Sequence, residues 1–217
     1  MSGWWFVQAT CHEPPATNTM THESYDYANR HGLWPISWND FHGLCQAIAL
    51  AAAEFKPEII IALGRGGFYP GTLIAHLLRT EIYPVRLSRR VNDVVMYDDP
   101  VWLLEPPALV QGRRVLVVDE ICDSGQTLQM AGTKLAAMDV AAVKTAVLYS
   151  HTWRADIPDY IGLITDALLL NPWDREAVVD GRIQFHPEYV SAFAQQGIPL
   201  EDSLRIPATK FELAKRP

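Results

Sequence analysis

The chain has 217 residues, which is the size of one domain with some elaboration. Its composition, 49% hydrophobic and 20% charged, is close to the average of globular proteins, which excludes wholesale disorder, and no apolar run is long enough to span a bilayer. A formal net charge of −7 argues against general nucleic-acid binding, because such binding depends on Lys and Arg that neutralise phosphates.

Residues 1–35 cluster Pro, Asn and Thr without sustained periodicity, and we interpret them as an irregular N-terminal arm. The first residues lack the basic region and the long apolar region of a secretory signal. The three cysteines are odd in number and too widely spaced for a disulfide framework or a zinc site. We therefore expect a cytoplasmic protein with reduced thiols.

The next part of the chain alternates helices with short apolar strands. Ser37 and Asp40 have the spacing of a capping box, which predicts a helix that ends near residue 55. The other predicted elements are strands at 58–63, 114–118, 145–149 and near 167–170, and helices at about 70–78 and 126–138. Strands this apolar are typical of a parallel sheet buried on both faces. The pattern predicts an α/β fold with an open, mainly parallel twisted sheet flanked by helices.

The most informative stretch is residues 115–128, where an apolar strand ends in two adjacent acids, Asp119 and Glu120. Ionised carboxylates are costly to desolvate, so they need a ligand there, such as ribose hydroxyls or hydrated Mg²⁺. Residues 123–127 then form a turn into a helix, whose backbone N–H groups, hydroxyls and dipole suit a phosphate. An acidic pair beside an anion cradle indicates a sugar-phosphate site.

This stretch closely resembles the signature with which type I phosphoribosyltransferases bind 5-phosphoribosyl 1-pyrophosphate (PRPP). The signature is an apolar strand, two acids, two variable residues and Asp-Thr-Gly-x-Thr, from which only Ser124 departs. The resemblance implies that Asp119 and Glu120 bind the ribose hydroxyls, with Mg²⁺ held nearby through PRPP and water. It also implies that Asp123 is catalytic, as proton acceptor or charge stabiliser near the reacting base. The implied 5-phosphate site consists of Asp123, Ser124, Gly125, Gln126 and Thr127.

A second stretch, residues 61–71, resembles the family's pyrophosphate-gripping loop, especially that of the purine-salvage members. Its glycines let the backbone approach an anion closely, and Arg65 adds positive charge that would stabilise the leaving group. The implied pyrophosphate-binding residues are Gly64, Arg65, Gly66 and Gly67.

Two segments lie outside these motifs. Residues 86–112 are a long, polar connection, and we expect 86–105 to act as a lid from which Arg89 and Arg90 meet pyrophosphate on closure. Residues 176–217 are interpreted as a C-terminal extension that, with the N-terminal segment, forms a small hood on a core at 36–175.

The base pocket departs from the family pattern at two positions. His151 stands in place of a lysine that normally contacts the 6-oxo group of a purine, and histidine can donate or accept a hydrogen bond. Leu168 stands where an aromatic residue usually stacks on the base. Both changes leave the identity of the base open.

The sequence as a whole predicts a phosphoribosyltransferase that moves 5-phosphoribosyl from PRPP to a purine or purine-like base and releases pyrophosphate, with Mg²⁺. One alternative is a regulatory protein that retains the pocket as a PRPP sensor. Another is an amide-, pyrimidine- or orotate-type enzyme, which the purine-like landmarks at 36–67 and 158–173 disfavour. Because the family commonly forms dimers or tetramers, we expect a homo-oligomer, a dimer first, with no nucleic-acid or membrane partner.

Overall fold

The computed structural model describes residues 30–91 and 94–207, so that residues 1–29 of the predicted arm at 1–35 and residues 208–217 of the predicted C-terminal extension lie outside these ranges. The α-helices are α1 Trp38–Ala52, α2 Phe68–Leu78, α3 Gln126–Ala136 and α4 Pro187–Gln196. The strands are β1 Leu33–Pro35, β2 Ile59–Leu63, β3 Glu81–Ser88, β4 Arg90–Val91, β5 Val94–Val95, β6 Val101–Leu104, β7 Arg114–Cys122, β8 Ala142–Ser150, β9 Tyr160–Ile164, β10 Leu168–Leu170, β11 Glu176–Val179 and β12 Arg182–Phe185.

Six strands form the central sheet in the order β6-β3-β2-β7-β8-β9. All neighbours in it are parallel except β6, which runs antiparallel to β3 at one edge. One hydrophobic cluster packs α1 and α2 on one face of the sheet, and a second packs α3 on the other. The predicted fold class, an open and mainly parallel sheet with helices on both faces, is confirmed.

The first helix illustrates why the local sequence was informative. Ser37 Oγ accepts a hydrogen bond from Asp40 N at 3.1 Å, and Asp40 Oδ2 accepts one from Ser37 N at 2.9 Å, which completes the predicted capping box. Behind the cap, Phe41, Cys45 and Ile48 are buried against the sheet at helical spacing.

Two predicted features differ from the structure. Part of residues 86–112 is sheet rather than irregular connection, because β3 runs to Ser88 and pairs with β6, the edge strand of the sheet. Partly exposed residues mask the strand pattern here, since within β3 only Val85 and Leu87 are buried. The predicted strand near 167–170 exists as β10, but it pairs with β1 outside the central sheet, whose last strand is β9.

A small hood is built on the β1–β10 pair, the β11–β12 hairpin and α4. Its own hydrophobic cluster joins Leu168 and Leu170 of β10 to Tyr189 and Phe193 of α4. The buried guanidinium of Arg175 donates to backbone carbonyls of three separate segments, those of Ile36, Leu170 and Leu204. These bonds tie the hood to the start of α1, while the exact domain limits at 36 and 175 stay a prediction.

In the described ranges, no helix combines the length and the apolar character needed to cross a membrane.

Candidate active site

The sheet topology brings the two predicted motifs to one edge. Strands β2, β7 and β8 are adjacent and parallel, so their carboxyl ends lie side by side. The glycine loop at 64–67 follows β2, the acidic pair and the turn at 123–127 lie at the end of β7, and His151 follows β8. The residues that sequence reasoning assigned to one site therefore meet in space.

The glycine loop packs directly on the end of β7. A Cβ built on Gly67 would lie 2.7 Å from the carbonyl oxygen of Val118 and 2.9 Å from the Cα of Asp119. A Cβ on Gly66 would collide with the carboxyl group of Glu120. No side chain fits in these places, so glycine is required by the close approach of two backbones. The Gly64–Arg65 peptide in this loop is cis, and Arg65 is exposed.

The acidic pair is held by a buried chain of hydrogen bonds. Asp119 Oδ1 accepts from the backbone N–H of Glu120 at 2.7 Å. Glu120 Oε1 accepts from Asn171 Nδ2, and Asn171 Oδ1 in turn accepts from the hydroxyl of Tyr149 at 2.9 Å. Because Asn171 and Tyr149 are buried, this chain fixes Oε1 of Glu120, while Oε2 packs against Gly66 of the glycine loop.

The electrostatics of the pair favour a cationic or hydrogen-bond-donating ligand. Burial raises the pKa of Asp119 to about 7. Burial, with repulsion from Asp174 and Asp119, raises the pKa of Glu120 to about 8. Within the described ranges, no group of three His, Cys, Asp or Glu side chains could hold a metal ion by itself. A cation bound here would therefore have to share its coordination with a ligand and water, which is how Mg²⁺ commonly binds at phosphates.

The predicted phosphate turn has the geometry of a helix start. Gly125 has a φ of +79° and precedes the first residue of α3, and a Cβ on it would collide with the side chain of Ile157. The backbone N–H of Gln126 lies 3.3 Å from Ser124 Oγ. The side chain of Gln126 donates to Asp99 Oδ1 at 3.1 Å, so the turn contacts the predicted lid segment.

A cavity of about 210 Å³ adjoins the acidic pair and contains both predicted base-site residues, His151 and Leu168, in its lining together with Glu120. The imidazole of His151 is buried, with Nδ1 at 2.8 Å from the carbonyl oxygen of Thr165. Its ring stacks on that of Trp153 with centroids 4.4 Å apart and an interplanar angle of 14°. Burial and the nearby Arg30 lower the pKa of His151.

Sequence reasoning missed several residues of the cavity wall. Arg30 was assigned to the irregular arm, yet its side chain is buried, its Nη2 lies 3.4 Å from Asp123 Oδ1, and its guanidinium lies 5.5 Å from the ring centroid of Trp153. Asn171, Glu188 and Tyr189 also line the cavity. A lone arginine in an aperiodic segment carries no signal in the sequence, whereas the polar Asn171 directly after an apolar strand could have been noticed.

The two predicted lid arginines make contacts within the structure. Arg90 Nη1 lies 3.4 Å from Glu188 Oε1 of α4, and Arg89 Nη1 lies 3.4 Å from the carbonyl oxygen of Asp98. Residues 92–93 lie outside the described ranges. The role of residues 86–105 as a lid stays a prediction, as do the roles of the individual site residues.

Known proteins resemble this chain in sequence and in fold. Residues 35–173 match the family model described as the phosphoribosyl transferase domain. Xanthine phosphoribosyltransferase 1 of Saccharomyces cerevisiae is 30% identical over 189 residues, which cover 66% of this chain and 90% of that protein.

Hypoxanthine-guanine phosphoribosyltransferase of the same yeast is 32% identical over 118 residues, and the match spans about half of each protein, 46% of this chain and 53% of the relative. The crystal structure of a purine phosphoribosyltransferase from Pyrococcus horikoshii has a TM-score of 0.60 at 23% identity, with 69% of this chain and 99% of that chain covered, and supports the fold. The resemblance seen in the sequence is confirmed: the chain belongs to the phosphoribosyltransferase family, a class of pentosyl-transferring enzymes.

Proposed function

We propose that the protein transfers 5-phosphoribosyl from PRPP to a purine or purine-like base and releases pyrophosphate, in a reaction that depends on Mg²⁺. The observation that carries this proposal is the contact of the glycine loop with the acidic end of β7, next to the turn at 123–127 and the cavity. The yeast relatives named for xanthine and for hypoxanthine and guanine support a purine-type acceptor.

In this proposal the bond between C1 of the ribose and pyrophosphate breaks, and a bond from C1 to a ring nitrogen of the base forms. Asp119 and Glu120 accept hydrogen bonds from the ribose hydroxyls, while the backbone of the glycine loop and Arg65 stabilise the charge that develops on pyrophosphate. Mg²⁺ bound with PRPP would supply charge neutralisation at the two acids. Asp123, beside the cavity, takes up or balances the proton that the base loses.

A sensor that binds PRPP without transfer is the second candidate. The specific observation in its favour is that Arg30 contacts Asp123, the residue that transfer would use. The packing of the complete glycine loop against the acidic pair favours the transferase, because a sensor needs no leaving-group clamp.

The deciding experiment measures pyrophosphate release from PRPP and Mg²⁺ with a panel of purine and pyrimidine bases. At least one base should give turnover, and Asp123→Asn should lower it by about 100-fold or more, the typical contribution of a positioned acid or base. Asp139→Asn is the matched control, since Asp139 lies exposed just beyond the C-terminal end of α3, opposite the end that adjoins the site, with a φ of +54° that asparagine tolerates. Retained PRPP binding without turnover of any base would instead support the sensor.

A further inference from the structure

The lining of the cavity includes a residue with a buried nitrogen that lacks a hydrogen-bond partner in the described part of the chain. This atom is Nε2 of His151. Buried polar atoms are almost always paired, and an unpaired one costs free energy until a partner arrives. What His151 can bind therefore depends on whether Nε2 carries a hydrogen.

The surroundings of the other ring nitrogen determine the tautomer. Nδ1 lies 2.8 Å from the carbonyl oxygen of Thr165, which can only accept. The carboxylate of Asp166 lies 3.6 Å from the same nitrogen, and hydrogen bonds from Thr152 lower the pKa of Asp166 and keep it ionised. With two acceptors facing it, Nδ1 must carry the ring hydrogen, so Nε2 of a neutral imidazole presents a lone pair.

The imidazole is held neutral and in one orientation. Burial and the positive charge of Arg30 outweigh the opposing effect of Asp123 and Asp166, so that the pKa of His151 is lowered. The parallel stack on Trp153 and the bond to Thr165 oppose rotation of the ring. His151 is therefore an acceptor toward a ligand, which is the opposite of a lysine ammonium, a group that can only donate.

We propose that Nε2 of His151 accepts a hydrogen bond from an exocyclic amino group of the base, so that His151 selects amino-substituted bases over bases that carry only oxo groups. The inference rests on the proposed binding of a base in this cavity. An exocyclic amino group projects beyond the ring and reaches a buried nitrogen more readily than a ring N–H does. An oxo group at the same place would set two acceptors against each other and leave both unpaired.

The test measures binding of three nucleotide probes, AMP, GMP and IMP, by isothermal titration calorimetry. AMP and GMP carry an exocyclic amino group and IMP carries none. At least one of the two should bind about 10-fold or more tighter than IMP to the wild-type protein. His151→Lys, which replaces the acceptor by a donor, should abolish that preference, while His76→Lys, the same change on an exposed face of α2, should preserve it.

Equal or tighter binding of IMP, failure of all three nucleotides to bind, or a preference that survives His151→Lys would overturn the inference. The wild-type comparison alone decides the matter if the variant does not fold. Turnover with PRPP separates this inference from the proposed function. A preference for amino-substituted nucleotides without turnover supports the inference and contradicts the transferase. Turnover with hypoxanthine but with no amino-substituted base supports the transferase and contradicts the inference.

Discussion

On one side of the site two stretches of backbone meet, and on the other side separate side chains converge. The phosphate side, residues 64–67 and 119–127, is shaped by glycines that allow the loop to touch the end of β7. The predicted base side is lined by residues of β8 and β10 and of the segments that follow them, of α4 and of the segment before β1, among them Arg30, His151 and Tyr189. A site shaped by backbone suits a ligand that all members of a family bind. A site lined by separate side chains can change its ligand specificity through single substitutions.

Gly67→Ala should have the largest effect, because the new methyl group would meet backbone atoms that cannot move aside. We expect a loss of about 2–3 kcal/mol in the free energy of unfolding and loss of PRPP binding. Urea unfolding and calorimetry measure the two. Gly43→Ala, in α1 with no atom within 4 Å of the new Cβ, is the control and should stabilise the helix by up to about 1 kcal/mol. A tolerated Gly67→Ala would break the idea that backbone contact defines this side.

Glu120→Gln should reveal the cost of the buried acidic pair. The pKa of Glu120 is about 8 in the folded protein against 4.5 when unfolded, so the folded state holds a proton that the unfolded state releases between those values. The stability of the wild type therefore falls as pH rises from 4.5 to 8. Relative to the wild type, Glu120→Gln should be more stable at pH 8 than at pH 5, by up to about 3.5 kcal/mol.

Urea unfolding at the two pH values measures this difference. Glu54→Gln, an exposed position beyond the end of α1, is the control. A difference that is constant with pH, or larger at pH 5, would contradict the burial of Glu120.

Asn171→Asp sharpens the comparison, because Asn171 connects the two sides. The variant retains an acceptor for the Tyr149 hydroxyl but replaces the donor to Glu120 by a second negative charge. The KM for PRPP should rise about 10-fold with a smaller change in kcat, as expected when substrate binding is weakened in ground and transition states alike. Tyr149→Phe removes only the other bond of Asn171 and should change KM less. Equal effects of both variants would indicate a purely structural role.

Arg90→Ala should have the smallest effect. The ion pair of Arg90 with Glu188 is partly exposed on both sides, 27% and 32%, and such pairs contribute less than about 1 kcal/mol. Thermal unfolding measures the change. A loss of several times that size would show that this pair holds α4 against the cavity and that the base side depends on a single contact.

The elements of the central core were largely predictable. The apolar runs of β2, β7 and β8 and the capping box of α1 are local signals, and the structure contains all four elements. The edge strand β6 and its neighbour β3 were not recognised, because most of their side chains are partly or fully exposed and give no continuous apolar run. Nor could the sequence show that β10 leaves the central sheet to pair with β1, since pairing of distant segments carries no local pattern.

The candidate site divides in the same way. Asp119, Glu120, Asp123 and the glycine loop stand at fixed spacing after buried strands, and parallel strands must bring such ends together. The tautomer of His151, the burial of Arg30 beside Asp123 and the link from Tyr149 through Asn171 to Glu120 depend on contacts between segments far apart in the chain. The sequence by itself thus determined the family and the sugar-phosphate chemistry. Only the tertiary structure decided which residues line the cavity and which of their polar atoms are paired, because hydrogen-bond partners are set by packing rather than by order along the chain.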